Sequence, residues 1–189
     1  NRAEGAANAF LAVLEEYEKA VALDTTHCPS LLGVAENKMM AATYNLMPIG
    51  KAISEARRAL EMGAKSLGET AEGLYIEGII AYCERDWPTA TEVFRRAVEL
   101  EPHNAKILCW CAITLMTTRR ADEGMALFER AREVDPLSAF PYGMTALGWL
   151  LIADSEKAVE VGMQARVFDD QNTLALWAPA VAEVNLGHF

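Results

Sequence analysis

The chain has 189 residues, of which 52% are hydrophobic and 23% are charged, a composition typical of a globular protein and not of a disordered one. Its net charge of -10 argues against direct binding to nucleic acid, because proteins that bind the phosphate backbone concentrate lysine and arginine on one face. No apolar run reaches the length of about 18 residues that a membrane-spanning helix needs, so no membrane span is predicted.

The first third of the chain predicts three helices, at about residues 3–23, 29–46 and 52–62. In the first of these, Tyr17 and Ala20 occupy the places that Phe94 and Ala97 take later in the sequence. This correspondence predicts that the first helix is the second member of a helix pair.

Two loops in this part are predicted to be long. Residues 47–50 break the chain between the second and third helices, and Gly63 is suited to end the third helix as its C′ residue. The exit loop is then expected at residues 64–68.

Seven more helices follow with short connections, at about residues 70–84, 87–100, 105–118, 121–134, 139–152, 155–168 and 173–186. Asn104, Ser138 and Thr173 stand where N-caps belong, because their side chains can accept a hydrogen bond from a free N–H of the first turn. The whole chain therefore predicts about ten helices.

A 34-residue period runs through these helices. It places small residues, an aromatic residue and a proline at fixed points, so the following set is predicted to pack the repeats: Gly78, Ala90, Phe94, Ala97, Pro102, Ala112, Phe128, Ala131, Pro136, Ala146, Ala158 and Ala165. The pattern has departures, since Gly162 replaces the aromatic residue and Asp170 the proline. We expect a neighbouring side chain, such as Trp177 or Phe168, to fill the space that Gly162 leaves, because packed cores contain few voids.

A 34-residue period of paired helices with a proline after the second helix resembles the tetratricopeptide repeat (TPR). The resemblance implies an all-α, right-handed superhelix of about ten antiparallel helices, an α-solenoid. It implies a single domain over residues 1–189, with divergent helices in 1–68, regular repeats at 69–102, 103–136 and 137–170, and a C-terminal helix in 171–189. Because the chain begins at Asn1 with no initiator methionine, we expect it to be a fragment of a longer protein. It ends on a first-type helix, so either a capping helix has been cut away or this last helix caps the stack by itself.

A narrower resemblance rests on Asp86-Trp87, on residues 135–138 (DPLS) and on Gly148-Trp149. These segments resemble the repeats that bacterial winged-helix transcriptional regulators and adenylate cyclases carry. The resemblance implies a sensory or protein-contact module of a cytoplasmic bacterial regulator, attached to an output domain that this sequence lacks.

Candidates for catalysis are few. His27, His103 and His188 each fall in a predicted turn, where histidines are usually solvated. The acidic pair Asp169-Asp170 is more typical of a polar turn than of a cation site. The cysteines lie inside helical patterns and are expected to be reduced core residues: Cys28, Cys83, Cys109 and Cys111. No enzyme activity, metal site or cofactor is predicted.

Binding is better supported than catalysis. In the TPR family the first helix of each pair lines the concave surface, and the residues expected to face it here are Tyr75, Ile79, Tyr82, Lys106, Cys109, Ile113, Met116, Phe140, Leu147 and Trp177. Chaperone-binding members clamp a peptide carboxylate with several lysines and asparagines, and this set does not provide that clamp, because Lys106 is its only charged member. The alternative is that these residues are buried between helices.

The leading hypothesis is therefore a non-catalytic module that binds a protein or peptide, with no direct nucleic-acid or membrane partner. Two alternatives remain: a small-molecule sensor, and a regulatory segment of an enzyme such as a cyclase. A homodimer is also predicted, with Leu176, Ala180 and Val184 of the last helix in the contact.

Overall fold

The computed structural model describes residues 2–43, 45–67, 70–170 and 172–187, with side chains described for all of these except 2–10, 64–67 and 173. Within these ranges the protein forms ten α-helices and no strand. The helices are α1 (Arg2–Leu23), α2 (Cys28–Thr43), α3 (Ile49–Leu67), α4 (Ala71–Cys83), α5 (Trp87–Leu100), α6 (Ala105–Thr117), α7 (Ala121–Val134), α8 (Ala139–Leu151), α9 (Ser155–Phe168) and α10 (Thr173–Asn185). The prediction of an all-α chain of ten helices is confirmed.

One predicted helix end is wrong. Helix α3 continues through Gly63 to Leu67, so the exit loop expected at 64–68 is helical as far as Leu67, and residue 68 lies outside the described residues. A glycine inside a helix costs only about 1 kcal/mol relative to alanine. Gly63 is buried, and a Cβ added there would lie 3.9 Å from the Leu31 side chain, so tertiary packing holds this turn in the helix.

The chain divides into two compact units, residues 1–93 and 94–189, with the boundary inside α5. In unit 1, α2 packs on α1, α3 and α4, and α3 also packs on α4. The ring of Tyr17 lies directly over Gly33 of α2, where an added Cβ would be 2.5 Å from the ring. An aromatic residue of α1 thus packs into the first helix of the next pair, as expected if α1 is a second helix.

In unit 2 the same arrangement repeats. Helix α6 packs on α7 and α8, and α8 packs on α9 and α10, so each first helix contacts its own partner and the first helix of the next pair. Phe128 of α7 lies over Gly148 of α8, where an added Cβ would be 2.6 Å from the ring. This contact corresponds to that of Tyr17 with Gly33 in unit 1.

The turns inside the pairs also follow the 34-residue period. Arg85, Arg119 and Ala153 each have a left-handed backbone, with φ of 63°, 63° and 61°. In every case the next residue donates its N–H back across the turn, as Asp154 does to the Trp149 carbonyl at 3.0 Å. This is the Schellman closure of a helix end, and it occurs here without glycine.

We expect Ala153→Gly to stabilise the protein by about 1 kcal/mol, because glycine adopts a positive φ without the steric penalty that a Cβ brings. Urea unfolding of unit 2 measures the change. The control is Ala126→Gly, at an exposed position inside α7, which should destabilise by about 0.5–1 kcal/mol. Equal effects of the two substitutions would contradict the turn geometry.

The predicted packing set is buried at every position except the two prolines. Zero exposure is found for Ala90, Phe94, Ala97, Ala112, Phe128, Ala131, Ala146, Ala158 and Ala165, and Gly78 is also buried. Pro102 and Pro136 are exposed, and each lies two residues after the end of a second helix.

A neighbouring side chain does fill the space at Gly162, but it is neither of the two residues named as examples. Trp177 and Phe168 remain 49% and 38% exposed and do not fill the space of the missing aromatic ring. The ring of Pro179 fills it instead, so that a Cβ on Gly162 would lie 2.3 Å from the Pro179 Cγ. The ring at this contact is therefore supplied by α10 and not by α9, and the two helices still pack against each other.

Two of the three predicted N-caps are confirmed. Asn104 accepts hydrogen bonds from the N–H groups of Lys106 (3.1 Å) and Ile107 (3.3 Å), and Ser138 accepts one from Phe140 (3.3 Å). Thr173 is not the N-cap of α10, because Asn172 takes that position and accepts from Leu174 and Ala175. Asparagine is a somewhat stronger N-cap than threonine, which explains the one-residue difference.

Three helices of unit 1 are joined by one lysine. Lys38 of α2 has a side chain only 12% exposed, and its Nζ pairs with Glu18 of α1 and, at 2.7 Å, with Glu55 of α3. The hydrogen bond from Lys38 holds the pKa of Glu55 below its usual 4.5. Although burial opposes it, hydrogen bonding to both glutamates holds the pKa of Lys38 above its usual 10.5.

We expect Lys38→Met to destabilise unit 1 by about 1–3 kcal/mol at neutral pH, between the values for exposed and buried ion pairs. The pKa of the Glu55 carboxyl is lower in the folded protein than the usual 4.5, so its ion pair with Lys38 stabilises the fold at pH values above the unfolded-state pKa. This stabilisation is lost as the pH falls through the folded-state pKa of Glu55. The difference between parent and variant in urea midpoint should therefore shrink below pH 4.5. A difference that is independent of pH would show that the variant acts through packing alone.

Candidate functional site

Half of the residues predicted to face a groove are inside the protein. The side chains with at most 5% exposure are Tyr75, Ile79, Cys109, Ile113 and Met116. They are buried because α4 and α6 carry apolar residues on nearly all sides and are surrounded by other helices. A buried side chain offers no surface to a partner, so these five belong to the core.

The other five predicted residues have accessible surface. Tyr82 lies in unit 1, where its ring packs edge-on against Trp87 with 5.1 Å between centroids. Unit 2 holds Lys106 on α6, Phe140 and Leu147 on α8, and Trp177 on α10. We call these last four residues the unit 2 surface.

Close packing of α8 and α10 supports this surface. A Cβ added to Gly143 would lie 2.7 Å from the Leu174 Cβ, so the two helices approach closely there. Phe140 and Leu147 stand seven residues apart, two helical turns along one face of α8. Trp177 leaves 49% of its surface accessible, a large fraction for a residue of this size.

An open cleft of about 850 Å³ adjoins two members of the surface, Lys106 and Phe140. It lies where α6 and α8 begin, and it is also lined by Glu101, Pro102, His103, Asn104, Ala105, Val134, Asp135 and Ser138. Sequence reasoning missed these lining residues. The 34-residue period could have indicated them, because Glu101 and Asn104 correspond to Asp135 and Ser138.

Hydrogen bonds hold the chain segments at and next to this cleft. The Arg130 guanidinium donates to the Pro102 carbonyl at 3.0 Å, and the Tyr142 hydroxyl donates to the Pro136 carbonyl at 3.2 Å. The Asn104 amide caps α6 and also donates to Glu101 at 2.8 Å, so it is not available to clamp a carboxylate.

The cleft is mixed in charge. Lys106 and the positive N-terminal ends of α6 and α8 are balanced by the carboxylates of Glu101 and Asp135. Phe140 and Val134 add apolar surface. Such a lining suits a peptide with both polar and apolar groups better than a highly charged ligand.

The described histidines and thiols do not form a catalytic constellation. His27, exposed before α2, hydrogen-bonds Ser30 at 2.7 Å, and His103 is exposed in the turn before α6. His188 lies outside the described residues. In the part of the chain that the structure describes, no three histidine, cysteine or acidic side chains are placed to hold a metal ion.

All four cysteines are free, and at three of them burial disfavours the reactive thiolate. Burial raises the pKa of Cys111 to about 11 and also raises those of Cys109 and Cys83. Since the thiolate is the nucleophile, these three thiols are poor nucleophiles near neutral pH.

A further apolar area lies on the last two helices. Leu176 and Val184 of α10 are 44% and 57% exposed, and Ala180 between them is also exposed. Met163 and Val167 of α9 are 48% and 81% exposed.

Among the described residues, no helix is both long and apolar enough to cross a membrane.

No protein-family profile matches the chain, and no curated protein matches it. Its fold is similar to those of solved TPR proteins. TTC0263, a thermophilic TPR protein from Thermus thermophilus, is 13% identical with a TM-score of 0.75, and the match covers 95% of this chain and 93% of that one. YrrB, a TPR protein with an unusual peptide-binding site, is 21% identical with a TM-score of 0.56 over 93% and 86% of the two chains.

The first TPR domain of Spaghetti (RPAP3), solved with an HSP90 peptide, is 12% identical with a TM-score of 0.54, over 62% of this chain and 94% of that one. At these identities the likeness concerns the fold. The predicted all-α solenoid of TPR-like helix pairs is confirmed.

Proposed function

We propose that this chain is a non-catalytic protein-interaction module and that a protein or peptide partner binds the unit 2 surface and its adjoining cleft. The observation that carries the proposal is the exposure of Trp177 together with the accessible Phe140 beside the cleft. Aromatic residues are the most frequent energetic anchors of protein interfaces. Two structural neighbours with a peptide or a peptide-binding site support the same class of partner.

Photo-crosslinking tests this proposal. Benzoylphenylalanine in place of Phe140 should capture one partner protein from cells of the source organism, because the residue points into accessible space at the cleft. The same probe in place of Ala126, exposed on α7, is the matched control. Equal capture at both positions, or capture only at the control, would reject the unit 2 surface.

The wider setting that we propose is a bacterial cytoplasmic signalling protein or transcriptional regulator. It rests on the resemblance carried by Asp86-Trp87, residues 135–138 and Gly148-Trp149. A DNA-binding domain or a cyclase domain in the full-length gene would distinguish a transcriptional regulator from a regulatory segment of an enzyme.

A second candidate function is small-molecule sensing, because about 850 Å³ lies in the size range of ligand pockets. A thermal-shift screen with metabolites tests it. A compound that raises the Tm of the parent but not of a Phe140→Ser variant would favour sensing over protein binding.

We also propose a homodimer through the exposed face of α10. Leu176→Glu combined with Val184→Glu should convert a dimer into a monomer, because charges on this apolar face disfavour its burial. Light scattering coupled to size exclusion measures the mass. Leu151→Glu with Ile152→Glu, also exposed apolar residues, is the control and should leave the dimer intact. A monomeric parent, or a dimeric α10 variant, would remove α10 from the contact.

A further inference from the structure

Helix α10 presents an apolar face whose centre is buried on the other first helices of unit 2. Ala180 is exposed, whereas Ala146 and Ala112, one and two periods of 34 residues before it, have zero exposure. Leu176 and Val184, about one turn on either side of Ala180, are 44% and 57% exposed. The face that is closed on α6 and α8 is therefore open on α10.

A second helix covers this face in the earlier pairs. A Cβ added to Gly124 of α7 would lie 2.9 Å from the Ala112 carbonyl oxygen and 2.5 Å from the Met116 Cγ of α6. In the next pair, Ala146 of α8 and Val161 of α9 share one hydrophobic cluster. Among the residues that the structure describes, α10 packs on α8 and α9, and no helix lies on its exposed face.

Helix α9 also has exposed apolar residues beside this open face. On α5, Arg95 and Glu99 line a cleft that α7 also lines, and the Arg95 Nη2 lies 3.9 Å from the Glu123 Oε2 of α7. These two positions of α5 thus face the helix that covers α6. Two periods later the same positions are Met163 and Val167 of α9, which are 48% and 81% exposed.

The change of residue type at these positions indicates a covered surface. One period before α9, the equivalent residues of α7 are Glu129 and Glu133, so α5 and α7 are charged where α9 carries Met163 and Val167. A contiguous exposed apolar surface of this kind marks an interaction site. Together with the open face of α10, these two residues line a groove between α9 and α10, in the place that a second helix takes in the earlier pairs.

Helix α10 of a second copy suits this groove. Glu183 is its one charged residue among 13, and a helix that is apolar on nearly all sides is typically a buried one. Leu176 and Val184 lie at equal spacing on either side of Ala180. A two-fold axis at Ala180 therefore pairs two α10 helices antiparallel, with Leu176 of each opposite Val184 of the other. Antiparallel is also the direction within the pairs of this fold, because a short turn joins their helices.

We infer that α10 of a second copy lies in the groove between α9 and α10, in the place of a second helix, and that Met163 and Val167 contact it. The inference rests on the homodimer proposed above. It adds the direction of the partner helix and a contact on α9 to that proposal. By symmetry, α9 and α10 of both copies form one four-helix contact.

Sedimentation velocity over a range of protein concentrations tests the α9 contact. Met163→Glu with Val167→Glu gives α9 the side chains that α7 carries at the equivalent positions, which the fold accepts there. We expect a dimer dissociation constant about tenfold higher than that of the parent, or more, because the contact would bury charges. The control is Leu137→Glu with Leu151→Glu, at 78% and 49% exposed positions elsewhere in unit 2, and it should stay within about twofold of the parent.

Cysteine cross-linking tests the antiparallel arrangement without adding charge. Ala180→Cys should form an intermolecular disulfide under mild oxidation, because the two-fold axis brings the two Cα atoms within bridging distance. Ala126→Cys, at an exposed position of α7, is the control and should run as a monomer on a denaturing gel.

The outcomes separate this inference from the homodimer itself. If Leu176→Glu with Val184→Glu dissociates the dimer but the α9 variant does not, the inference is overturned and the homodimer stands. A monomeric parent would overturn both. An equal loss of dimer in the Leu137 and Leu151 control, or cross-linking at Ala180 no greater than at Ala126, would also overturn the inference.

Discussion

Gly162→Phe should destabilise unit 2 by about 3 kcal/mol or more, although it restores the aromatic residue that the 34-residue pattern has at Phe94 and Phe128. The space for that ring is already occupied, since even a Cβ at this position would lie 2.3 Å from the Pro179 Cγ and 2.8 Å from its Cδ. A phenylalanine would therefore push α10 away from α9. Urea unfolding followed by circular dichroism measures the loss.

The smaller substitution Gly162→Ala, made in the parent and in a Pro179→Ala protein, tests whether the clash with Pro179 causes the destabilisation. Gly162→Ala should destabilise the parent but stabilise a Pro179→Ala protein by up to about 1 kcal/mol, because alanine favours a helix once the ring is gone. Gly50→Ala is the matched control, because a Cβ added at Gly50 meets nothing within 4 Å. The same effect of Gly162→Ala in both backgrounds would contradict the contact with Pro179.

Ala131→Leu is expected to destabilise the protein by about 1–3 kcal/mol, since Ala131 has zero exposure and added methylenes have no room. Ala97→Leu should act in the same way at the equivalent position of the preceding repeat. Ala126→Leu makes the same chemical change at an exposed site of the same helix and should shift stability by less than about 0.5 kcal/mol. Equal unfolding midpoints for the buried and exposed substitutions would show that the repeat register is misplaced.

The sequence predicts the repeat architecture because small residues at a fixed period leave room for close helix contact. Ala97, Ala131 and Ala165 recur at this period and all have zero exposure. The left-handed turn residues follow the same period. Two of them, Arg85 and Arg119, are arginines and the third is Ala153, and none is a glycine, so residue type did not indicate their positive φ values.

Where prediction failed, tertiary contacts decided the outcome. Gly63 has the character of a helix end, but packing near Leu31 keeps it inside α3. In the sequence of α9, Gly162 stands where the repeat has an aromatic residue and indicates an unfilled space. The structure shows that Pro179 of α10 occupies this space.

The candidate site was predictable only in part. Positions on a first helix can be assigned from the period, but whether Cys109 or Lys106 reaches solvent depends on how neighbouring helices pack around α6. The period relates Glu101 and Asn104 to Asp135 and Ser138, but it does not show that these residues, from separate turns, enclose a cleft. Their charges, in contrast, can be read from the sequence once the structure has placed the residues.

The most direct test of the proposed partner surface is calorimetric titration of the captured partner into three forms of the protein. These forms are the parent, Phe140→Ser with Trp177→Ser, and a control with Leu100→Ser and Val167→Ser, exposed apolar residues of second helices. Loss of two anchors should weaken binding by about 100-fold or more, and the control should bind within about threefold of the parent. Unchanged affinity of the Phe140 and Trp177 variant, or an equal loss in the control, would contradict the assignment of the unit 2 surface as the partner site.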